Sequence, residues 1–335
     1  MGDLSFMRNQ VRLLFGTAEA RLKDIDEPVQ CVVTSPPYWQ LRDYDHPDQL
    51  GLEQELADYI ERLVEIFDSV RDVMADDGTL WLNLGDTYIA GRTGNVGSSA
   101  LTSGRNHEAS LRARRGTTHR SAEGLKPKDL CGVPWRVALA LQAAGWWLRS
   151  EIIWQKPNAM PESVRDRPSR SHEHVFLLSK SRSYYYDADA IRTPLKPKTL
   201  TAHGSPARVA KAGDIDSKSA RWASSSAARR VAKRDEDGRL LGANARTVWS
   251  IAQEPWPGAH TSTFPRRLAR RCILAGCPVD GLVLDPFAGT GTTLAVAAEL
   301  GRRSIGIELN TANAPQIFER MSGLQMPLMP EVARG

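Results

Sequence analysis

Apolar residues along the chain gather in short β-branched runs, and longer stretches with helical spacing separate them. That alternation builds a mostly parallel sheet wrapped by helices. Residues 11–16 read as a first strand with Gly16 as its turn, and 17–22 as a short helix. Pro28 precedes a second strand, Cys31-Val32-Val33-Thr34. Over residues 55–74, Leu56, Tyr59, Ile60, Leu63, Ile66, Phe67, Val70 and Val73 share one helical face, which predicts an amphipathic helix ended by Asp76-Asp77-Gly78. A buried strand at 79–86 runs into a polar tip, where Asn83 and Asp86 are either plain strand-end residues or face a ligand.

The same pattern continues to the far end. A helix is expected at 133–144, with Pro134 in its first turn and Gly145 at its end. Strands follow at 147–154, 174–179 and 247–251. Residues 260–272 pass through Thr263-Phe264-Pro265 into a helix broken by Pro278. A strand at 282–285, a helix at 292–300, a strand at 303–308 and a helix from about 312 to 321 complete the order, with a loose tail over 326–335. No segment repeats.

Charge changes the picture more than composition does. Apolar content of 41% and charged content of 25% are ordinary for a soluble chain. No run approaches the ~20 apolar residues of a membrane span, and residues 1–5 lack a leader pattern. Four cysteines without a metal-type spacing suit a reducing cytosol, so a cytoplasmic location is expected. Residues 91–128 carry +6 and residues 192–234 carry +9. Together they hold +15 of a whole-chain +5, which leaves −10 on the remainder. Two basic, Gly/Ser/Ala-rich segments beside an acidic scaffold are the footprint of a polyanion ligand, or else two solvated loops. His172 and His174 flank Glu173, but no further ligands accompany them and no metal site is expected.

Two motifs carry chemistry. Thr34-Ser35-Pro36-Pro37-Tyr38-Trp39 ends an apolar strand in a rigid turn, at the carboxyl edge where open α/β sheets hold ligands. Ser35 Oγ and the Pro36 carbonyl are placed to accept the two N–H hydrogens of an exocyclic base amine, and Tyr38 to stack on an extruded base. Trp39 is either a second stacking face or a core residue. The second motif is Asp285-Pro286-Phe287-Ala288-Gly289-Thr290-Gly291-Thr292. It lacks the lysine of a phosphate-binding Walker loop, and Leu294 stands where a dinucleotide fingerprint needs a small residue. An acid ahead of this turn attracts a cation such as the ammonium or sulfonium of S-adenosylmethionine, and Glu308 ends the next strand where a carboxylate accepts ribose hydroxyls. No cysteine follows a proline, so carbon-5 attack on cytosine has no evident nucleophile.

In these residues the chain resembles the β-class exocyclic-amino DNA methyltransferases, in which Ser/Asp/Asn-Pro-Pro-Tyr precedes Phe-x-Gly-x-Gly. The resemblance spans most of residues 11–320 apart from the basic inserts. It implies a doubly wound, mixed seven-stranded sheet (Rossmann-like) with permuted motif order, S-adenosylmethionine as cofactor and double-stranded DNA as partner. A homodimer and a cognate restriction endonuclease are candidate further partners. Ser35, Pro36, Pro37 and Tyr38 take the catalytic positions. Asp285 to Thr292, Glu308, Thr263 and Phe264 take the cofactor positions. Thr17 stands where family members often carry an acid that contacts the cofactor adenine.

Trp39, Lys156 and Asn158 are expected near the flipped base. Arg112, Arg114, Arg115, Lys196, Lys198, Arg229 and Arg230 are expected on DNA. Serine ahead of Pro-Pro-Tyr favours cytosine N4 over adenine N6. An RNA or protein methyltransferase, or a non-catalytic DNA-binding module, explains the two motifs together less well.

The implied organisation is a catalytic half at 1–191, a target-recognition region at 192–247 and a cofactor half at 248–325. Removing residues 197–245 should therefore abolish site preference on DNA while leaving a folded, cofactor-binding core. Retained site selection, read by mapping methylated positions, would clear that segment of the role.

Overall fold

Along Val11–Phe15 the side chains turn alternately to two different apolar clusters: Val11, Leu13 and Phe15 to one, Leu14 to the other. A strand built this way must be covered on both faces. The computed structural model describes residues 3–6, 10–44, 46–89, 122–194, 242–254 and 265–322. The chain runs β1 (Leu4–Phe6), β2 (Val11–Phe15), α1 (Ala18–Arg21), β3 (Val29–Thr34), α2 (Leu56–Val73), β4 (Met74–Leu84), α3 (Val133–Ala143), β5 (Trp147–Gln155) and β6 (His172–Ser179). It continues with β7 (Val248–Ser250), α4 (Arg266–Gly276), β8 (Leu282–Asp285), α5 (Thr292–Glu299), β9 (Arg303–Glu308) and α6 (Ala314–Ser322).

The strands form one mixed sheet in the order β1-β2-β9-β8-β3-β4-β6-β5-β7. From β2 to β4 every neighbour is parallel, and β6 lies antiparallel to both β4 and β5. The expected count of seven becomes nine. Among the described residues, β7 falls inside the strand expected at 247–251 and pairs with β5, whereas β1, three residues against β2, is too short to show a period of its own. Helix α2 buries Leu56, Tyr59, Leu63, Ile66, Phe67 and Val70, the stripe its spacing announces. Asp76-Asp77-Gly78, expected to stop that helix, lies inside β4 instead. The β3–β4 register jumps there from Val29–Met74 to Cys31–Thr79, so the acidic residues bulge out of the ladder. Helix α5 is buried from Thr292 to Ala298, which fits its apolar and small residues.

The chain divides into two compact units, Met1–Tyr186 with Thr247–Gly335, and Asp187–Arg246. The first holds the whole sheet. In the second, Thr193 and Ala243 form a β-bridge, and the Arg192 guanidinium bonds Asp189 and the Gly242 carbonyl. Among the described residues no helix is long and apolar enough to cross a membrane.

One close approach fixes the Pro-Pro-Tyr turn on the sheet. Gly85, just beyond β4, packs so tightly on the Tyr38 ring that a Cβ there would lie 2.5 Å from Cε2. Gly85→Ala should lower the unfolding free energy by about 1–3 kcal/mol in a denaturant titration. Unchanged stability would mean that the ring can move aside freely.

Candidate active site

Strands β3 and β8 are adjacent and parallel, paired at Cys31–Val283 and Val32–Leu284, so both motifs leave the sheet at one edge. The Thr34 hydroxyl donates to Asp285 Oδ1 at 2.6 Å, and the Thr293 hydroxyl donates to Oδ2 at 2.7 Å. The Phe287 N–H adds a third donor at 3.1 Å. Asp285 is 1% exposed, and burial pushes its carboxyl up to about 6 despite these donors. Asp285, expected from the sequence to attract a cation, also acts as a clamp between the two strand ends. Both oxygens accept hydrogen bonds inside the protein.

Above the two strand ends lies a cavity of about 1070 Å³, counting its open mouth. Ser35 and Pro37 line it together with Pro286 to Thr290, Thr292 and Glu308. Gly291 has φ +75° and serves as N-cap of α5, a conformation that favours glycine and turns the loop tightly into the helix. Glu308 accepts from the N–H groups of Gly289 and Asn310, both at 2.8 Å, and from Asn313 Nδ2 at 2.9 Å. Burial raises its carboxyl to about 7, the three donors oppose the shift, and the nearby Asp285 charge adds to it. Thr17 also lines the cavity, and its Oγ1 caps α1 by accepting from Ala20 N at 3.2 Å. The neighbouring Glu19 faces the same cavity and pairs with Arg62 at 3.2 Å.

A polar cluster stands beside Ser35. The Ser35 hydroxyl donates to Tyr38 Oη at 3.2 Å, and the Tyr38 hydroxyl donates to Glu173 Oε2 at 2.7 Å. Asn83 Nδ2 shares its two protons among Tyr38 Oη at 2.9 Å, Glu173 Oε2 at 2.9 Å and Ser35 Oγ at 3.3 Å. The Lys156 ammonium pairs with Glu173 Oε1. Burial alone would raise the Glu173 carboxyl, but the Lys156 charge and the hydrogen bonds outweigh it and hold it below the usual range. Burial and the Glu173 charge push the Tyr38 phenol well up, so it stays protonated. The Asn83 amide sits with nitrogen toward the cluster because its oxygen would otherwise face a carboxylate. Among the described residues its Oδ1 is buried without a partner.

Three residues considered for base or DNA contact have partners inside the chain. Trp39 is 1% exposed and donates Nε1 to the Glu53 carbonyl, so it belongs to the core. Lys156 is held by Glu173, and the Asn158 amide brackets the backbone of Gln253 at 2.8 and 3.0 Å. Asp86 accepts from the N–H groups of Gly132 and Val133 and thereby anchors the start of α3. Thr263, Phe264, Arg112, Arg114, Arg115, Lys196, Lys198, Arg229 and Arg230 lie outside the described residues. All four cysteines are buried, and among the described residues no metal-binding cluster exists. Glu173 escaped the sequence because only its flanking histidines drew notice; its partner Tyr38 is 135 positions away.

A family model described as a DNA methylase matches residues 29–319. The chain is 44% identical over 311 residues to the type II methyltransferase M.SmaI of Serratia marcescens, covering 92% of this chain and 90% of that one. It is 42% identical over 295 residues to M.Cfr9I of Citrobacter freundii, covering 88% and 82%. Its fold matches a putative DNA modification methylase of Thermus thermophilus complexed with S-adenosyl-L-methionine, with a TM-score of 0.52, 23% identity and coverage of 95% and 99%. It also matches the PvuII DNA methyltransferase (cytosine-N4-specific), with a TM-score of 0.55, 14% identity and coverage of 95% of each chain. The chain belongs to the exocyclic-amino DNA methylase family. Within it, this is a type II DNA methyltransferase that takes its methyl group from S-adenosylmethionine, of the restriction–modification kind.

The two raised carboxyls make the strand-end site sensitive to pH. A folded-state pKa above the ordinary one means that the empty protein holds the proton more tightly than the unfolded chain does. Stability from Asp285 and Glu308 therefore falls as pH rises from about 4 to 7. Accepting hydrogen bonds from the hydroxyls of a bound ligand would need Glu308 ionised, which works in the opposite direction. The Kd for S-adenosylmethionine by calorimetry should rise about tenfold from pH 7.5 to pH 6.0. Equal affinity at the two pH values would remove Glu308 from the cofactor contacts.

Proposed function

We propose that the protein methylates the exocyclic N4 of a cytosine flipped out of duplex DNA, at a specific sequence in the cytoplasm. One observation carries the reading: Ser35 and the glycine loop line the same cavity. A methyl donor in the loop and an amine at the serine are then within reach of each other. Glu308 is assigned to the ribose hydroxyls, the backbone of Phe287 to Gly291 to the methionine moiety, and Thr17 and Glu19 to the adenine end.

S-adenosylmethionine supplies a methyl carbon activated by a positively charged sulfur. The residues of this chain supply placement. Ser35 Oγ and the Pro36 carbonyl accept the two N–H hydrogens, which draws the nitrogen toward a pyramidal shape and aims its lone pair at the methyl carbon. The lone pair forms the N–C bond as the C–S pair returns to sulfur. One N–H proton then leaves to water, because the methylated amine is briefly a strong acid. No strong base is required.

Serine ahead of Pro-Pro-Tyr supports cytosine over adenine. The basic 192–247 region supports a role in sequence recognition, with 91–128 as a second DNA-facing segment. Ser35→Ala should lower kcat by about 10²–10³-fold while the Kd for S-adenosylmethionine stays within about twofold. Normal turnover would refute the serine assignment. Nucleoside mass spectrometry of the methylated DNA should give N4-methylcytosine. N6-methyladenine would overturn the choice of base and leave the chemistry standing.

A further inference from the structure

The hydrogen bonds beside Ser35 have a direction, and a buried ion pair sets it. Glu173 is ionised, and an ionised carboxylate only accepts. Tyr38, 2.7 Å away, must therefore donate its single proton to Glu173 Oε2. Its oxygen is left as an acceptor, and Asn83 Nδ2 already donates to it at 2.9 Å. Ser35 Oγ, 3.2 Å from that oxygen, directs its one proton there. The serine then faces the cavity with lone pairs alone.

We propose that Glu173 is a positioning residue that fixes this polarity, so that the base pocket accepts a hydrogen-bond donor and turns away an acceptor. An exocyclic amine meets a lone pair and binds. A ring carbonyl at the same place, as on thymine or uracil, meets lone pair against lone pair and is rejected. Lys156 keeps the chain from reversing: paired with Oε1, it holds Glu173 charged, and a protonated carboxyl could itself donate toward Tyr38. Asn83 reinforces the direction, because it can only donate along this edge.

This inference rests on the reading that Ser35 accepts the target amine, and the test separates the two. Tyr38→Phe keeps the ring and leaves the Glu173–Lys156 pair in place, but it cuts the chain. Glu173→Gln keeps the shape and lets an amide donate where only acceptance was allowed. Initial rates with labelled S-adenosylmethionine and unmethylated phage DNA give kcat and KM for each variant, for Ser35→Ala and for the double variant of Tyr38 and Glu173.

The expected result is a kcat lower by about 10–100-fold in Tyr38→Phe and in Glu173→Gln, with KM for the cofactor within about twofold. The double variant should be no slower than the slower single, because both act through one path. Multiplying losses, or a wild-type kcat in Tyr38→Phe while Ser35→Ala is inactive, would overturn the role of Glu173. A wild-type kcat in Ser35→Ala would instead overturn the serine reading beneath it. Should Glu173→Gln fail to fold, the comparison of Tyr38→Phe with Ser35→Ala decides the matter alone.

Discussion

Asp285 binds together two parts of the chain that sequence separates by 251 positions. Thr34 reaches it from the end of β3 and Thr293 from the start of α5, and its own strand β8 runs alongside β3. A carboxylate this enclosed is hard to keep charged, and its raised pKa records that difficulty. The consequence is geometric. The Ser-Pro-Pro-Tyr turn and the glycine loop begin from one fixed point, and everything downstream inherits that alignment. The cofactor cavity, the serine at its rim and the polar cluster behind the serine are parts of one strand-end arrangement.

The sheet makes this possible because it is wound from both directions. The parallel block from β2 to β4 places its carboxyl ends at one edge, and the antiparallel β6 returns along β4 to deliver Glu173 beside Tyr38. A parallel strand there would carry its carboxyl end, and not its beginning, to that edge. Reversal of β6 is therefore what puts a charged partner behind the Pro-Pro-Tyr turn. The basic segments lie outside this framework in sequence, and the framework is itself acidic, so the positive charge and the strand-end cavity are carried by separate stretches of chain.

Much of this was legible in residue order. The period of the apolar positions marked the buried face of α2 and the core of each long strand, since burial dictates both. Two proline- and glycine-rich turns announced their strand ends, because few residues can make such backbones. Edge strand β1 escaped, being only three residues long, whereas β7 lies within the strand expected at 247–251. The bulge at 75–78 looked like a helix stop because its residues are those of a turn, and only the register with β3 shows otherwise.

Asp285 has a second task, joining the two strand ends, that its sequence context did not announce. An acid before a glycine loop suggests a cation, whereas its partners are two threonines that no spacing rule brings to mind. Glu173, Lys156 and Asn158 owe their roles to neighbours that only folding supplies.

A crystal structure with sinefungin, in which an amino group replaces the transferable methyl, tests the shared mouth most directly. The distance from Ser35 Oγ to that amino group should be on the order of 4–6 Å, room for one nitrogen hydrogen-bonded to the serine and poised against the methyl. A separation beyond about 10 Å, or an analogue bound away from the Phe287–Gly291 loop, would contradict it.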